Sequence, residues 1–289
     1  MADSKRTFVV AVRDDSSGRR ALQRTLTLAR AGTDSIQLVH VRRLADLARV
    51  ADLLQPRWTT LDLGEPDDEE WLEALAVEAR GQGYRTQWVK LSGMPGTEVA
   101  RYAREAAADL IVVASPRQTL ARELFLGSTA LRILRMAACP VLVARNDPTR
   151  THASALVAVD GTAISQRVVD AATAVFPDAR VDLVHAYGVP EEHKLRMNGA
   201  SEQTIADLRR ARRPDIERGL QALIEHFPQL TVHVEHGFPE SVILELYNRL
   251  KSDVIVIGKH SGSALDEHVI GSVTQFLLYA CDTDFLLVA

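Results

Sequence analysis

Cysteine is scarce: two in 289 residues, at positions 139 and 281. That scarcity excludes a disulfide framework and fits a reducing compartment. Each thiol follows or ends an apolar helical pattern and reads as a small buried hydrophobe rather than a nucleophile. Excess charge is also lacking. Lysine and arginine number 34 against 38 aspartates and glutamates, a net charge of −4, so nothing draws the whole chain to nucleic acid or anionic lipid. No apolar run reaches the length of a membrane span, and the polar start, Met1 to Arg6, has no signal-peptide core. A cytoplasmic location without membrane contact is therefore expected. Also missing are a Gly-x-Ser-x-Gly elbow, a Walker loop, a Gly-x-Gly-x-x-Gly fingerprint and a paired-cysteine zinc pattern. No catalytic constellation remains, so no enzyme is expected.

What the chain does have is apolar content of 46% with 25% charged residues, enough for packed cores. Its length suits two domains of ordinary size. It is also written twice. Gly93-Met-Pro95 matches Gly237-Phe-Pro239, Asp109-Leu-Ile-Val-Val matches Asp253-Val-Ile-Val-Ile, and Gly127-Ser128 matches Gly271-Ser272, all 144 residues apart. Val39-His40-Val41 pairs with Val184-His185-Ala186, and Val10-Ala11-Val12 with Val157-Ala158-Val159. Such coincident offsets define two homologous halves. They join near Asn146 to Ala153, where Asn, Asp, Pro and Thr interrupt the apolar pattern.

Each half alternates strand-like runs with helical stripes. The first-half runs are 7–13, 35–42, 85–91, 110–115 and 141–145; those of the second are 155–160, 181–187, 230–235, 254–259 and 285–289. Alternation of this kind implies βαβ units, right-handed crossovers and a parallel sheet. The expected fold is α/β: two tandem doubly wound five-stranded parallel sheets, in domains 1–147 and 153–289. Ligands in such sheets sit at the carboxyl ends of the strands, at the switch point. That places Asp160, Gly258 and Gly271 at one rim.

The stretch from Val254 to Tyr279 carries the clearest chemistry. Four β-branched residues, Val254 to Ile257, form a strand buried on both faces. Gly258 ends it, and a loop of small residues follows. Gly271-Ser272 then opens a helix whose apolar face is Thr274, Leu277, Leu278 and Cys281. Unpaired N–H groups and the helix dipole at such a start favour an anion. A plain helix cap is the competing reading of the same residues.

These pieces resemble the universal stress proteins in their tandem two-domain form. Ala158-Val-Asp160-Gly-Thr162, Gly237-Phe-Pro239, Asp253 to Gly258, Gly271-Ser272 and Ala138-Cys-Pro140-Val-Leu-Val143 carry the resemblance, and they span both halves. The resemblance implies a Rossmann-like fold of the adenine nucleotide alpha hydrolase type. It also implies that the halves pair about a pseudo-twofold axis through their last strands. Nucleotide-binding members have Gly, two residues, Gly, nine residues, then Gly-Ser or Gly-Thr. Here Gly258 fills the first place, Ser261 the second with Gly262 beside it, and Gly271-Ser272 the last. By the same resemblance, Asp160 holds ribose or base, and the loop and the helix start at Gly271, Ser272 and Val273 hold phosphates. The physical reasons stand apart from the family. A carboxylate accepts from both ribose hydroxyls, and glycines admit backbone to phosphate oxygens. Lys259 or His260 would supply positive charge, unless they point to solvent. A Cβ on Ser261 would narrow the loop or forbid a positive φ.

The first half departs further. Ala114 stands for Gly258 and Arg117 for Ser261, and Pro116 stiffens the loop. Its first strand ends in Val12-Arg13-Asp14-Asp15, so either Arg13 or Asp14 takes the acidic position. This half is expected to lack the usual nucleotide site; an alternative is that Arg13 and Arg117 bind another anion. The basic run Arg209-Arg210-Ala-Arg212-Arg213 lies among acids and reads as a solvated helix face. Asp67 to Glu70 reads as a helix N-terminus. His233, Glu235 and His236 are too few for a tetrahedral metal site. His40 and His185 end matching strands and read as packing residues near the rim.

The expectation is thus a cytoplasmic stress-response protein that senses or carries adenine nucleotide, ATP with or without magnesium, in its C-terminal half. The competing classes are a module that acts through protein partners or another small anion, and a weak ATPase whose sole candidate base is His260. The halves are expected to form an intramolecular pseudo-dimer, with a further homodimer left open.

Overall fold

Every apolar run becomes a parallel strand, and the amphipathic stretches between them become helices. The structure, a computed structural model, describes residues 5–42, 68–115, 126–189, 191–227, 229–259 and 269–289. Pro116, Arg117, His260, Ser261 and Gly262, all named above, lie outside these residues. The chain divides into two compact units, Met1–Thr151 and His152–Val288.

The first unit runs β1 (Thr7–Ala11), α1 (Ser16–Leu26), β2 (Ser35–Arg42), α2 (Asp68–Gly81), β3 (Arg85–Ser92), α3 (Pro95–Glu105), β4 (Leu110–Ala114), α4 (Ser128–Met136) and β5 (Val141–Ala144). Its strands lie in the order β3-β2-β1-β4-β5, all parallel. The second unit runs β6 (Ser154–Ala158), α5 (Ile164–Val175), β7 (Arg180–Tyr187), α6 (Glu192–Met197), α7 (Glu202–His226), β8 (Thr231–His236), α8 (Pro239–Leu250), β9 (Val254–Gly258), α9 (Ser272–Ala280) and β10 (Asp284–Val288). Its order, β8-β7-β6-β9-β10, repeats that of the first and is again fully parallel. In each unit the winding reverses beside the first strand, which creates a switch point between β1 and β4 and between β6 and β9.

The central strands β1, β4, β6 and β9 are buried along nearly their whole length. This explains why they read as continuous apolar runs and not as alternating ones. Several repeated motifs do structural work. Asp109 ahead of β4 accepts the Thr7 N–H at 2.7 Å, and Asp253 ahead of β9 accepts the Ala153 and Ser154 N–H groups at 3.0 Å. Each carboxylate fixes where the first strand of its unit begins. Pro95 and Pro239 open α3 and α8 in the first turn, where a missing N–H leaves no bond unmade. Among the described residues no helix is long and apolar enough to cross a membrane.

Helix α1 packs unusually close to the end of β1. A Cβ on Gly18 would lie 2.2 Å from the Arg13 carbonyl oxygen and 2.9 Å from its nitrogen. Both atoms belong to the backbone, so they cannot swing aside as a side chain tip would. Gly18→Ala is expected to destabilise the first unit by about 2–3 kcal/mol. Urea unfolding of the full chain checks this, and a midpoint equal to that of the unsubstituted protein would refute it. Arg24, on the same helix, is 1% exposed. Its guanidinium donates to the carbonyls of Asp147 (2.7 Å) and Arg150 (2.5 Å). The segment after β5 is thereby fastened to α1 by backbone acceptors that any side-chain sequence would supply.

Candidate functional site: a cavity at the carboxyl edge of the second unit

Strand β6 ends at Ala158, and the chain then turns into α5 through Val159-Asp160-Gly161-Thr162. Gly161 sits at φ +77, a backbone region that side chains disfavour. The turn is locked by the carboxylate of Asp160. Its Oδ1 accepts from the Thr162 N–H (3.0 Å), the Thr162 hydroxyl (2.6 Å) and the Ser165 hydroxyl (3.2 Å). Ser165 in turn accepts the Gly161 N–H at 3.1 Å. One oxygen of Asp160 is therefore committed to shaping the loop. No described residue donates to the other.

Beside this turn stands the end of β7. The Val159 N–H donates to the Val184 carbonyl at 3.0 Å, which continues the sheet pairing past β6. His185 follows, and its Nδ1 lies 3.1 Å from the Val159 carbonyl. A carbonyl only accepts, so Nδ1 carries the proton and Nε2 carries a lone pair. Burial pushes the imidazole pKa below its ordinary value, against smaller upward pulls from the Val159 carbonyl and the Asp160 charge. Neutral imidazole is thus the form present at pH 7.

The third wall is the start of α9. Gly271 is its N-cap, with φ −60 and ψ 151, and it offers no side chain to the helix. The Gly271 N–H is already used: it donates to the Lys259 carbonyl at 3.0 Å. The donors left at the helix start are the N–H groups of Ser272, Val273 and Thr274, which have no intrahelical acceptor. The Thr274 hydroxyl donates to the Gly258 carbonyl at 3.2 Å and ties the helix to the end of β9.

Together these elements enclose a cavity of about 240 Å³. Val168, Val184, Ile243 and Ile257 give it apolar lining. Asp160, Ser165 and His185 line it as well, from the β6 turn, α5 and β7, and so do Gly258, Gly271, Ser272 and Val273, from the end of β9 and the start of α9. Asp160 is therefore brought together with Gly258, Gly271, Ser272 and Val273 from about a hundred residues away in sequence. Lys259 is not among the lining residues; it is 4% exposed and lies in the interior, neither presented to the cavity nor pointing to solvent. His185, Ser165 and Thr274 are polar lining residues that the sequence pattern did not place in the site. The signal for His185 was available: it lies near the carboxyl end of the strand beside β6, at the edge where ligands bind.

The equivalent place in the first unit differs. The Val12 N–H donates to the Val39 carbonyl at 3.0 Å, and His40 Nδ1 lies 3.2 Å from the Val12 carbonyl. These bonds repeat those of Val159, Val184 and His185, so Arg13, not Asp14, stands where Asp160 does. Its guanidinium is 72% exposed and 3.5 Å from Asp15. The His40 ring meets the Trp71 ring edge-on, with centroids 5.2 Å apart, whereas His185 faces the cavity. Gly127 keeps the backbone angles of Gly271, φ −59 and ψ 151.

The remaining polar groups are paired away from the cavity. His233 bonds to Asp182 (3.0 Å), His236 to Glu192 (2.9 Å), and Glu235 lies 3.9 Å from Arg249. In the basic run of α7, Arg209 pairs with Glu192, Arg210 with Asp207 and Arg213 with Glu217. Cys281 is buried and Cys139 partly so.

The fold and the cavity define a tandem of doubly wound α/β domains, with a ligand-sized pocket at the switch point of the second. The family described as "Universal stress protein family" matches residues 5–145 and 153–289, nearly the whole chain, and the chain belongs to that family. A universal stress protein of Mycobacterium tuberculosis is 32% identical over 187 residues, covering 60% of this chain and 59% of the relative. One from Methanocaldococcus jannaschii is 32% identical over 84 residues, covering 29% and 49%. The chain thus spans about half to three fifths of the length of these relatives. The crystal structure of a universal stress protein from Archaeoglobus fulgidus superposes with a TM-score of 0.67 at 17% identity, covering 98% of this chain and 97% of that one. At that identity the likeness speaks for the tandem fold alone.

Proposed function

We propose that the C-terminal unit binds an adenine nucleotide, ATP in the first instance, and serves as a nucleotide sensor or carrier within a stress-response protein. The observation that carries this reading is the cavity between Asp160 and the uncapped start of α9. A free carboxylate oxygen suits a sugar hydroxyl, apolar lining suits a base, and N–H groups at a helix N-terminus suit phosphate. One cavity that offers all three suits the parts of a nucleotide. The first unit has Arg13 in place of the carboxylate and is assigned no nucleotide. In this reading the ligand is held and not turned over. Among the described lining residues only Asp160 and His185 carry ionisable side chains, and Asp160 is held by Thr162 and Ser165.

Titration of ATP with magnesium into the purified chain, followed by heat and by thermal stability, tests the proposal. One saturable site per chain is expected. Asp160→Ala is expected to weaken binding by about tenfold to a hundredfold, the worth of one or two hydrogen bonds to a charged group. No heat and no stabilisation at millimolar ATP would sink the nucleotide reading and favour a module that works through protein partners.

A further inference from the structure

The cavity is lined by two residues that each offer a hydrogen-bond acceptor to which no part of the described protein donates. One is Oδ2 of Asp160, since Oδ1 takes all three of the bonds made to that carboxylate. The other is Nε2 of His185, since Nδ1 is fixed on the Val159 carbonyl. They are neighbours: the Asp160 charge acts on the imidazole, and Cε1 of His185 lies 3.7 Å from where a Cβ on Gly161 would stand. The two acceptors differ in kind. Asp160 is exposed on a loop, whereas His185 is partly buried and lies in β7, two residues before its end. Both atoms are open to a ligand that brings donors in exchange for water. Two neighbouring acceptors suit a ligand with two neighbouring donors.

We propose that His185 is a specificity-determining residue of this pocket, and that with Asp160 it reads a vicinal diol. Asp160 Oδ2 takes one hydroxyl of a ribose and His185 Nε2 the other. The proposal rests on the nucleotide reading above and deepens it: the ligand class narrows to ribonucleotides with both sugar hydroxyls free. The second unit is the place for this reader. In the first unit the same imidazole bond is kept, but Trp71 stands against His40 and Arg13, a donor, replaces the carboxylate.

The experiment compares ATP, 2′-deoxy-ATP and 3′-deoxy-ATP by calorimetry, on the full chain and two variants. His185→Asn keeps an N–H donor at the δ position for the Val159 carbonyl but removes the ε acceptor. His185→Gln restores an acceptor at the ε position. The unsubstituted protein is expected to prefer ATP over each deoxy analogue by about tenfold, one hydrogen bond's worth of affinity. In His185→Asn the preference over one of the two analogues is expected to fall below about threefold, and in His185→Gln it returns in part. Thermal melting verifies that each variant is folded. Equal affinity for ATP and both deoxy analogues in the unsubstituted protein would overturn the proposal and leave the nucleotide reading standing. So would preferences unchanged in a folded His185→Asn. Failure of the unsubstituted protein to bind any of the three would remove both readings together.

Discussion

Gly271→Asp is expected to weaken ATP binding by about a hundredfold or more while leaving the protein as stable as before, or slightly more so. The two effects have opposite signs for one physical reason. Gly271 has ordinary backbone angles, φ −60 and ψ 151, and contributes no cap of its own to α9. Aspartate fits that conformation and is among the preferred N-cap residues, worth a few tenths of a kcal/mol over glycine. Its carboxylate would take the free N–H groups of the first turn and place a negative charge where the proposed phosphates lie. Each charge-assisted bond lost costs about 1.5–3 kcal/mol, so losing two exceeds the roughly 2.7 kcal/mol that a hundredfold requires, and like-charge repulsion adds to it. Calorimetry and thermal melting on the same sample check both halves. Binding retained at full strength would show that the start of α9 is not the anion site. Weak binding joined to a large drop in melting temperature would mean that the variant damaged the fold instead.

Removing Asp34 is expected to have the largest effect on stability. Asp34 lies between α1 and β2 with a side chain 0% exposed. It accepts from the N–H and guanidinium of Arg6, and from the N–H and guanidinium of Arg30. Burial alone would push its pKa up. The bonds from Arg30 and then Arg6 outweigh that and hold it at about 2. Asp34→Ala leaves two backbone N–H groups and two guanidinium faces without their acceptor, a loss of about 3 kcal/mol. A pH signature distinguishes this from a simple packing loss. The native pKa lies below the value of 3.8 that the free side chain has, so the carboxylate's contribution is fully present above about pH 5. It falls away as the pH drops through 4 towards 2. Urea unfolding of the two proteins between pH 2 and 7 should therefore show a stability gap that is constant near neutrality and narrows below pH 4. A gap independent of pH over that range would mean that the charge of Asp34 contributes nothing.

Strand positions were legible because the central strands are buried on both faces, and four or five consecutive β-branched or apolar residues suffice to mark them. Ser35–Arg42 coincides with β2, and the other runs differ from their strands by a residue or two at the ends. Those ends are where the differences bear on the candidate site. Val12-Arg13 and Val159-Asp160 read as strand, yet β1 and β6 stop at Ala11 and Ala158. The residues beyond are turned by side-chain bonds that the apolar pattern does not register. Lys259 shows the same limit from the other side: a lysine after a strand reads as a surface charge, and it lies buried.

The sequence by itself determined the tandem α/β architecture, the parallel order implied by alternating strands and helices, and membership of the universal stress protein family. Periodicity and a repeat of fixed offset are properties of the chain, and they survive without knowledge of any contact. Only the tertiary structure decided that Arg13 is the counterpart of Asp160 and that His185 faces the cavity with its acceptor free. It also decided that the Gly271 N–H is spent on Lys259 while those of the next residues are not. Each of these facts depends on one hydrogen bond between elements distant in sequence, such as Val159 to Val184 or Gly271 to Lys259. Such bonds fix which atom of a residue is used up and which remains for a ligand, and a residue's identity does not say which.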